Sequence, residues 1–272
     1  MLLNVIIGVN DLKDVQSLAD KRGIAIQKVG VSDVHLPFLI RTKAGAFQSV
    51  LAKIKLTVDL PEEFKGTHMS RFIETLSEWS RKPISYREME AILTDVLKRL
   101  DAKRAHIDID FKYFIEKQAP VSGLKSLIDC DCCFSGDLTK GEHLDFILGM
   151  KVPFTSLCPC SKEISSYGAH NQRGLMQVWV RHQHGKFIWI EDLAALMEAQ
   201  GSCPVYALLK REDEKYVTEQ AYNNPKFVED VLRDLVLAIR SLPGVCWFSA
   251  QCENFESIHN HNAFASHVEQ IG

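Results

Sequence analysis

Apolar and polar residues alternate along residues 24–31 and 46–60, where Gln48, Lys53, Lys55 and Thr57 interrupt Val50, Ile54, Leu56 and Val58. A period of two sends successive side chains to opposite faces and predicts two antiparallel strands. Over residues 69–81 the period lengthens. Phe72, Ile73, Leu76 and Trp79 recur at helical spacing, and Met89, Ile92, Leu93, Val96 and Leu97 repeat it over 86–100. Pro83 separates the two predicted helices, because proline cannot continue a helical hydrogen-bond ladder. Residues 105–115 alternate again and close a strand, strand, helix, helix, strand unit.

The second half writes the same order. Residues 144–154 and 174–181 predict strands, 191–199 and 226–240 helices, and 245–255 a closing strand. The expected fold is therefore α+β, built by duplication, with antiparallel sheets that carry paired helices on one face. Residues 122–140 are short on periodicity and rich in Ser, Gly, Asp and Cys. That stretch predicts a linker, which gives an extension at 1–20, a first module at 21–121 and a second at 141–272.

Length and composition narrow the class. A chain of 272 residues, 46% hydrophobic and 25% charged with 15 Gly and 9 Pro, can bury a real core and is neither collagen-like nor disordered. The formal charge of −3 supplies no global basic field, so neither nucleic acid nor an anionic membrane is an expected partner, and an anionic ligand must be held locally. The apolar run at residues 1–9 is far shorter than the ~20 residues of a membrane span, and no signal peptide is expected. Eight cysteines are too few for a disulfide framework in a chain of this size. A reducing cytoplasm is the expected location, and thiols near histidines raise the question of metal.

Two segments concentrate reactive side chains. The first is Ser156-Leu157-Cys158-Pro159-Cys160-Ser161-Lys162-Glu163, followed by Gly168-Ala169-His170-Asn171-Gln172-Arg173, in a loop between two predicted strands. A thiolate and an imidazole in one loop can converge on a divalent ion. A pair of thiols beside a loop histidine, with no metal, is the plainer alternative. The second is Glu253-Asn254-Phe255-Glu256-Ser257-Ile258-His259-Asn260-His261-Asn262. It puts acid, base and ligand groups at one strand end, where a polar tail is the alternative. The charge run at residues 209–219, which includes Glu214, reads as a solvated face. Glu229 reads as an acid that offsets the dipole at a helix start. Lys65-Gly66-Thr67-His68-Met69-Ser70-Arg71 also precedes a helix and could hold a phosphate, or could simply be a basic helix entry.

Taken together, the segments 65–72, 158–165, 168–173 and 256–263 closely resemble the type IB GTP cyclohydrolase I family, in the family's order and across about residues 14–265. The resemblance implies tandem tunnelling-fold modules that assemble into an oligomeric barrel, a homotetramer with active sites at subunit interfaces. It implies conversion of GTP to 7,8-dihydroneopterin triphosphate and formate, the entry to tetrahydrofolate. One divalent ion per site is expected, Mn²⁺, Zn²⁺ or Fe²⁺, with no organic cofactor.

Carried over position by position, Cys158, His170 and Glu214 match metal-ligand positions. Glu256 and His259 match a terminal pair in which one binds metal and the other moves protons. Cys158 is also catalytic in that family, and Cys160 and His261 are further candidates for proton transfer. Glu229 resembles the glutamate that grips a purine edge. With no G-x-x-x-x-G-K-[ST] loop in the chain, Lys65, His68, Arg71, Lys162 and Arg173 are left as candidates for the triphosphate. The alternatives are another tunnelling-fold enzyme of the nitrile reductase or pterin synthase kind, or a non-catalytic zinc or thiol redox module.

Overall fold

The computed structural model describes residue 16 and residues 18–271. The apolar run at 1–9 lies outside them, as does most of the expected extension 1–20. The first half comprises β1 (Ile26–Arg41), β2 (Phe47–Leu60), α1 (Met69–Trp79), β3 (Pro83–Ile84), α2 (Tyr86–Leu100), β4 (Arg104–Gln118) and β5 (Lys125–Thr139). The second comprises β6 (Asp145–Leu157), α3 (Pro159–Ile164), β7 (Asn171–His182), α4 (Ile190–Glu198), β8 (Cys203–Pro204), α5 (Arg211–Asn223), α6 (Val228–Arg240), β9 (Val245–Asn254) and β10 (Ala263–Gln270). No helix among the described residues is long and apolar enough to cross a membrane.

Each half thus opens and closes on two long strands, with α1 and α2 between them in the first and α4, α5 and α6 in the second. The strands form one sheet in the order β10-β9-β7-β6-β5-β4-β2-β1-β3, with β8 paired to β6. Helices α1, α2, α4 and α6 pack their apolar faces on one side of it, and the strands send alternate residues into that core: Ile54 and Leu56 from β2, Ile107 and Ile109 from β4, Val178 and Val180 from β7. The other side mixes charged residues with exposed apolar ones such as Leu51 and Phe114. Lys53, Asp110, Lys112, Asp131, Lys151, Gln177 and Trp179 line a cavity of about 730 Å³ there.

Residues 122–140 correct one sequence expectation. They are not an irregular linker but largely strand β5, which pairs antiparallel with β4 on one side and β6 on the other and carries the sheet without a break from one half into the next. The segment 209–219 also holds more structure than a charge run suggests, since it lies mostly within α5. Cys130 and Cys132 face the core from β5, and burial pushes the Cys130 thiol up to about 12, which keeps it protonated and inert.

Strand direction fixes where the loops fall. Thr57 of β2, His106 of β4, Asp137 of β5 and Asp145 of β6 share one row near one edge of the sheet. The end of β6 pairs with the start of β7 (Leu157 with Asn171), and β7 with the end of β9 (Gly174 with Asn254), at the opposite edge. The 13 residues of β6 separate these edges by about 40 Å at ~3.3 Å per residue.

Candidate active site

Most of the residues singled out from the second half gather at one edge. Leu157 ends β6, and Cys158 is the N-cap of α3, its sulfur 3.5 Å from the Ser161 amide that donates to it. Pro159 at the first helical position has no N–H to satisfy, which lets the chain turn sharply after the thiol. The Cys158 amide donates to the His170 carbonyl at 3.1 Å, and the His170 amide donates to Ser161 Oγ at 3.1 Å. The two segments of the first motif are thereby tied backbone to backbone. Cys158 and His170 are half-buried, whereas Cys160 is exposed.

The carboxyl-terminal motif joins them through a residue that the sequence reading passed over. Gln172, buried at the start of β7, has its Oε1 2.9 Å from His170 Nδ1, and its Nε2 donates to Glu256 Oε1 at 3.4 Å. Phe255 donates its amide to the Arg173 carbonyl at 3.0 Å and so fixes the exit of β9. Beyond it His259 and His261 stack on each other, ring centroids 5.1 Å apart, both exposed. Gly174 closes the motif because nothing larger fits: a β-carbon there would lie 2.4 Å from the Phe154 ring.

Helix α6 is anchored to the same edge. Lys226 donates its amide to the Leu157 carbonyl at 3.1 Å, and its own carbonyl accepts from Ser156 Oγ at 3.2 Å, which in turn accepts from Asn254 Nδ2 at 3.1 Å. Glu229 follows in the first turn. The hydrogen bond that caps the helix comes from Asp230, whose carboxylate accepts from the Phe227 amide at 3.1 Å. Glu229 is exposed and left available for a ligand.

Helix α5 borders a cleft of about 560 Å³ that is lined by Gly168, Ala169, Asn171 and Arg173 on one side and by Val217, Thr218, Ala221 and Tyr222 on the other. Glu214 lies one turn before Val217 and Thr218 on the same helical face. Lys162 is already engaged, donating to the Tyr222 carbonyl at 2.5 Å and lying 4.3 Å from the centre of its ring.

Asp213, next to Glu214, breaks the solvated reading of the charge run, because it is fully buried. Burial would raise its pKa. Hydrogen bonds from Ser122 Oγ (2.6 Å) and from the amides of Ser122 (2.9 Å), Lys210 (2.9 Å) and Val121 (2.8 Å) outweigh that and hold the carboxyl well below the usual carboxylate range. The group thereby pins the start of α5 to the β4–β5 turn.

A depressed folded pKa stabilises the protein fully above the ordinary value of about 4, and the effect is lost as pH falls through the folded value. Asp213→Asn should therefore be less stable than wild type near neutral pH and lose less stability on acidification below pH about 4. Denaturant midpoints measured against pH check this, and two parallel curves would contradict it.

The first-half cluster is elsewhere. Lys65, His68 and Arg71 follow β2 at the far edge of the sheet, about 40 Å from Cys158 by the strand length given above. Arg71 donates from Nη1 to the Arg99 carbonyl at 3.0 Å. Among the described residues no three His, Cys, Asp or Glu side chains stand close enough to hold an ion, so the five expected ligands share an edge without meeting at a point.

A model of the family described as Type I GTP cyclohydrolase folE2 matches residues 12–265. The chain belongs to this family. The GTP cyclohydrolase FolE2 of Citrifermentans bemidjiense is 54% identical over 255 residues, 94% of both chains. That of Geobacter sulfurreducens is 52% identical over 259 residues, 95% of this chain and 98% of the other. As a FolE2 protein the chain is a GTP cyclohydrolase I of type IB, acting on GTP in the folate pathway. Among solved structures it is similar to uricase from Arthrobacter globiformis, with a TM-score of 0.55 over 90% of this chain and 93% of that one at 8% identity. The likeness is one of fold: a long antiparallel sheet with helices on one face.

Proposed function

We propose that the FolE2 active site is formed between two copies of the chain, with Cys158, His170, Glu214, Glu229, Glu256 and His259 from one and Lys65, His68 and Arg71 from its neighbour. The observation that carries this is the placement of the two sets at opposite edges of one sheet, a separation of about 40 Å that a single nucleotide cannot bridge within one chain. The halves are read as tandem tunnelling-fold modules, 21–121 and 141–272 on the sequence pattern, with β5 completing the first. The uricase-like fold supports this. Assembly into a barrel, as a homotetramer, would cover edge strand β10, where Phe264 and Val268 are exposed, and the nearby exposed Phe255, Ile258 and Phe227. A cytoplasmic location accords with eight free cysteines.

The donor set fits one divalent ion. A thiolate, an imidazole and carboxylates suit Zn²⁺, Mn²⁺ or Fe²⁺, and Cys158, His170, Glu214 and one of Glu256 and His259 would hold it. Held there, the ion would supply Lewis acidity, lowering the pKa of a water molecule for attack at C8 of guanine. The chain's own groups do the rest. Glu229 accepts two N–H bonds from the guanine edge and orients the base. His259 and His261, with Cys160, give and take the protons of formyl release and of the rearrangement to 7,8-dihydroneopterin triphosphate. Arg173, with Lys162 and the three cationic or titratable groups of the neighbour, faces the triphosphate.

Stripping the protein of metal with a chelator should abolish release of formate from GTP and formation of the pterin chromophore, and adding back Mn²⁺, Zn²⁺ or Fe²⁺ should restore both. Undiminished turnover by protein shown to be metal-free would overturn the reading.

A further inference from the structure

We infer that Gln172 is a positioning residue that sets which ring nitrogen of His170 carries the proton. The residue is 8% exposed and its side chain spans two reactive groups, with Oε1 2.9 Å from His170 Nδ1 and Nε2 3.4 Å from Glu256 Oε1. The inference rests on the proposed site only for its consequence, namely that His170 works through Nε2.

What each group can donate fixes both the amide and the imidazole. An ionised carboxylate only accepts hydrogen bonds, so the edge of the amide that faces Glu256 must be its NH₂. The amide oxygen then faces the imidazole. An amide oxygen also only accepts, so His170 Nδ1 must carry a hydrogen to meet it. Nε2 is left bare, with its lone pair available. The reversed amide would set oxygen against carboxylate, two acceptors with no proton between them, and its NH₂ against the ring.

The chain Glu256, Gln172, His170 therefore transmits the carboxylate's fixed polarity to a ring that could otherwise adopt either tautomer. A free histidine side chain prefers its proton on Nε2, so the arrangement works against the intrinsic bias. The backbone holds the ring's attachment point independently: the His170 amide donates to Ser161 Oγ, and its carbonyl accepts from the Cys158 amide. Gln172 is left with the ring's orientation and protonation. An imidazole held this way offers Nε2 to a metal ion or a proton without first having to move a hydrogen, which is the role outer partners of ligating histidines commonly fill.

The test reads the tautomer directly in metal-free protein labelled with ¹⁵N at its ten histidines, using long-range ¹H–¹⁵N correlations. The His170 signals are identified by their loss in His170→Ala. Wild-type His170 should show hydrogen on Nδ1 and a bare Nε2. In Gln172→Met, which keeps the length but neither donates nor accepts well, the proton should shift largely to Nε2.

Binding of Mn²⁺ alone, followed by titration, should weaken about 10- to 100-fold in Gln172→Met. Wild-type His170 with its proton on Nε2, or an unchanged tautomer in Gln172→Met, would overturn the inference, and the first of these needs no variant to fold. If the tautomer is as stated and His170→Ala binds Mn²⁺ as tightly as wild type, the tautomer inference stands and the ligand assignment of His170 falls.

Discussion

Replacing Cys158 by alanine should leave a folded chain that turns over no GTP and binds metal weakly. The sulfur is half-buried at an N-cap, where alanine forfeits one long contact to the Ser161 amide and no core packing, so the fold has little to lose. The site has much to lose. A thiolate ligand contributes to both the affinity and the Lewis acidity of the ion. Metal content and turnover should fall together, whereas Cys160→Ala, at an exposed position one residue on, should retain metal and lose less activity. Metal analysis beside the formate assay checks both, and a fully active Cys158→Ala would remove the residue from the site.

Glu229→Gln should preserve folding and metal content while lowering kcat/KM for GTP by about 30- to 1,000-fold. The amide offers one acceptor and a misplaced donor where the carboxylate offered two acceptors to the guanine edge. Losing a charge-assisted pair and leaving a donor unpaired costs on the order of 2–4 kcal/mol, which converts to that range. The structure sharpens this expectation. The helix cap belongs to Asp230, so a stability effect at Glu229 has no source in the chain's own hydrogen bonds. Normal kinetics in the variant would show that the residue is a helix-start acid and nothing more.

The strands and helices that were legible in the sequence are those with one face fully committed to the core. β2 and β4 alternate cleanly because every second residue is buried, and α1, α2 and α6 show an apolar stripe for the same reason. β5 buries alternate residues too, but its inward positions include Cys130, Cys132 and Gly136, and the space a side chain at 136 would take is filled by Leu93, Leu144 and Met89. Ile128, Phe134 and Leu138 do alternate with outward polar residues, but the cysteines and glycine between them thin the signal. α5 buries only Asp213 and Ala221, so no stripe exists to read. β10, at an edge, has no fully buried residue.

The site divides in the same way. Thiol, imidazole and carboxylate announce their chemistry in the sequence, and Cys158, His170 and Glu256 were legible on that ground. Their gathering at one edge depends on strand direction, which spacing does not encode, and so does the removal of Lys65, His68 and Arg71 to the other edge. Glu229 and Glu214 resemble ordinary helix-start and surface acids in composition, and only the family motifs lifted them out. Gln172 was invisible because a neutral amide signals nothing until its two neighbours are known.

The central claim is that each active site takes residues from opposite edges of two chains, and mixing two inactive variants tests it most directly. Arg71→Ala removes a cation from one edge and Cys158→Ala a ligand from the other. Each alone should be inactive, with a normal fold. Combined in equal amounts under conditions of subunit exchange, they should recover about a quarter of wild-type activity, because a quarter of the junctions then receive an intact residue from both sides. Activity that stays at zero at every mixing ratio, despite demonstrated exchange, would contradict the shared site, as would full activity of Arg71→Ala alone.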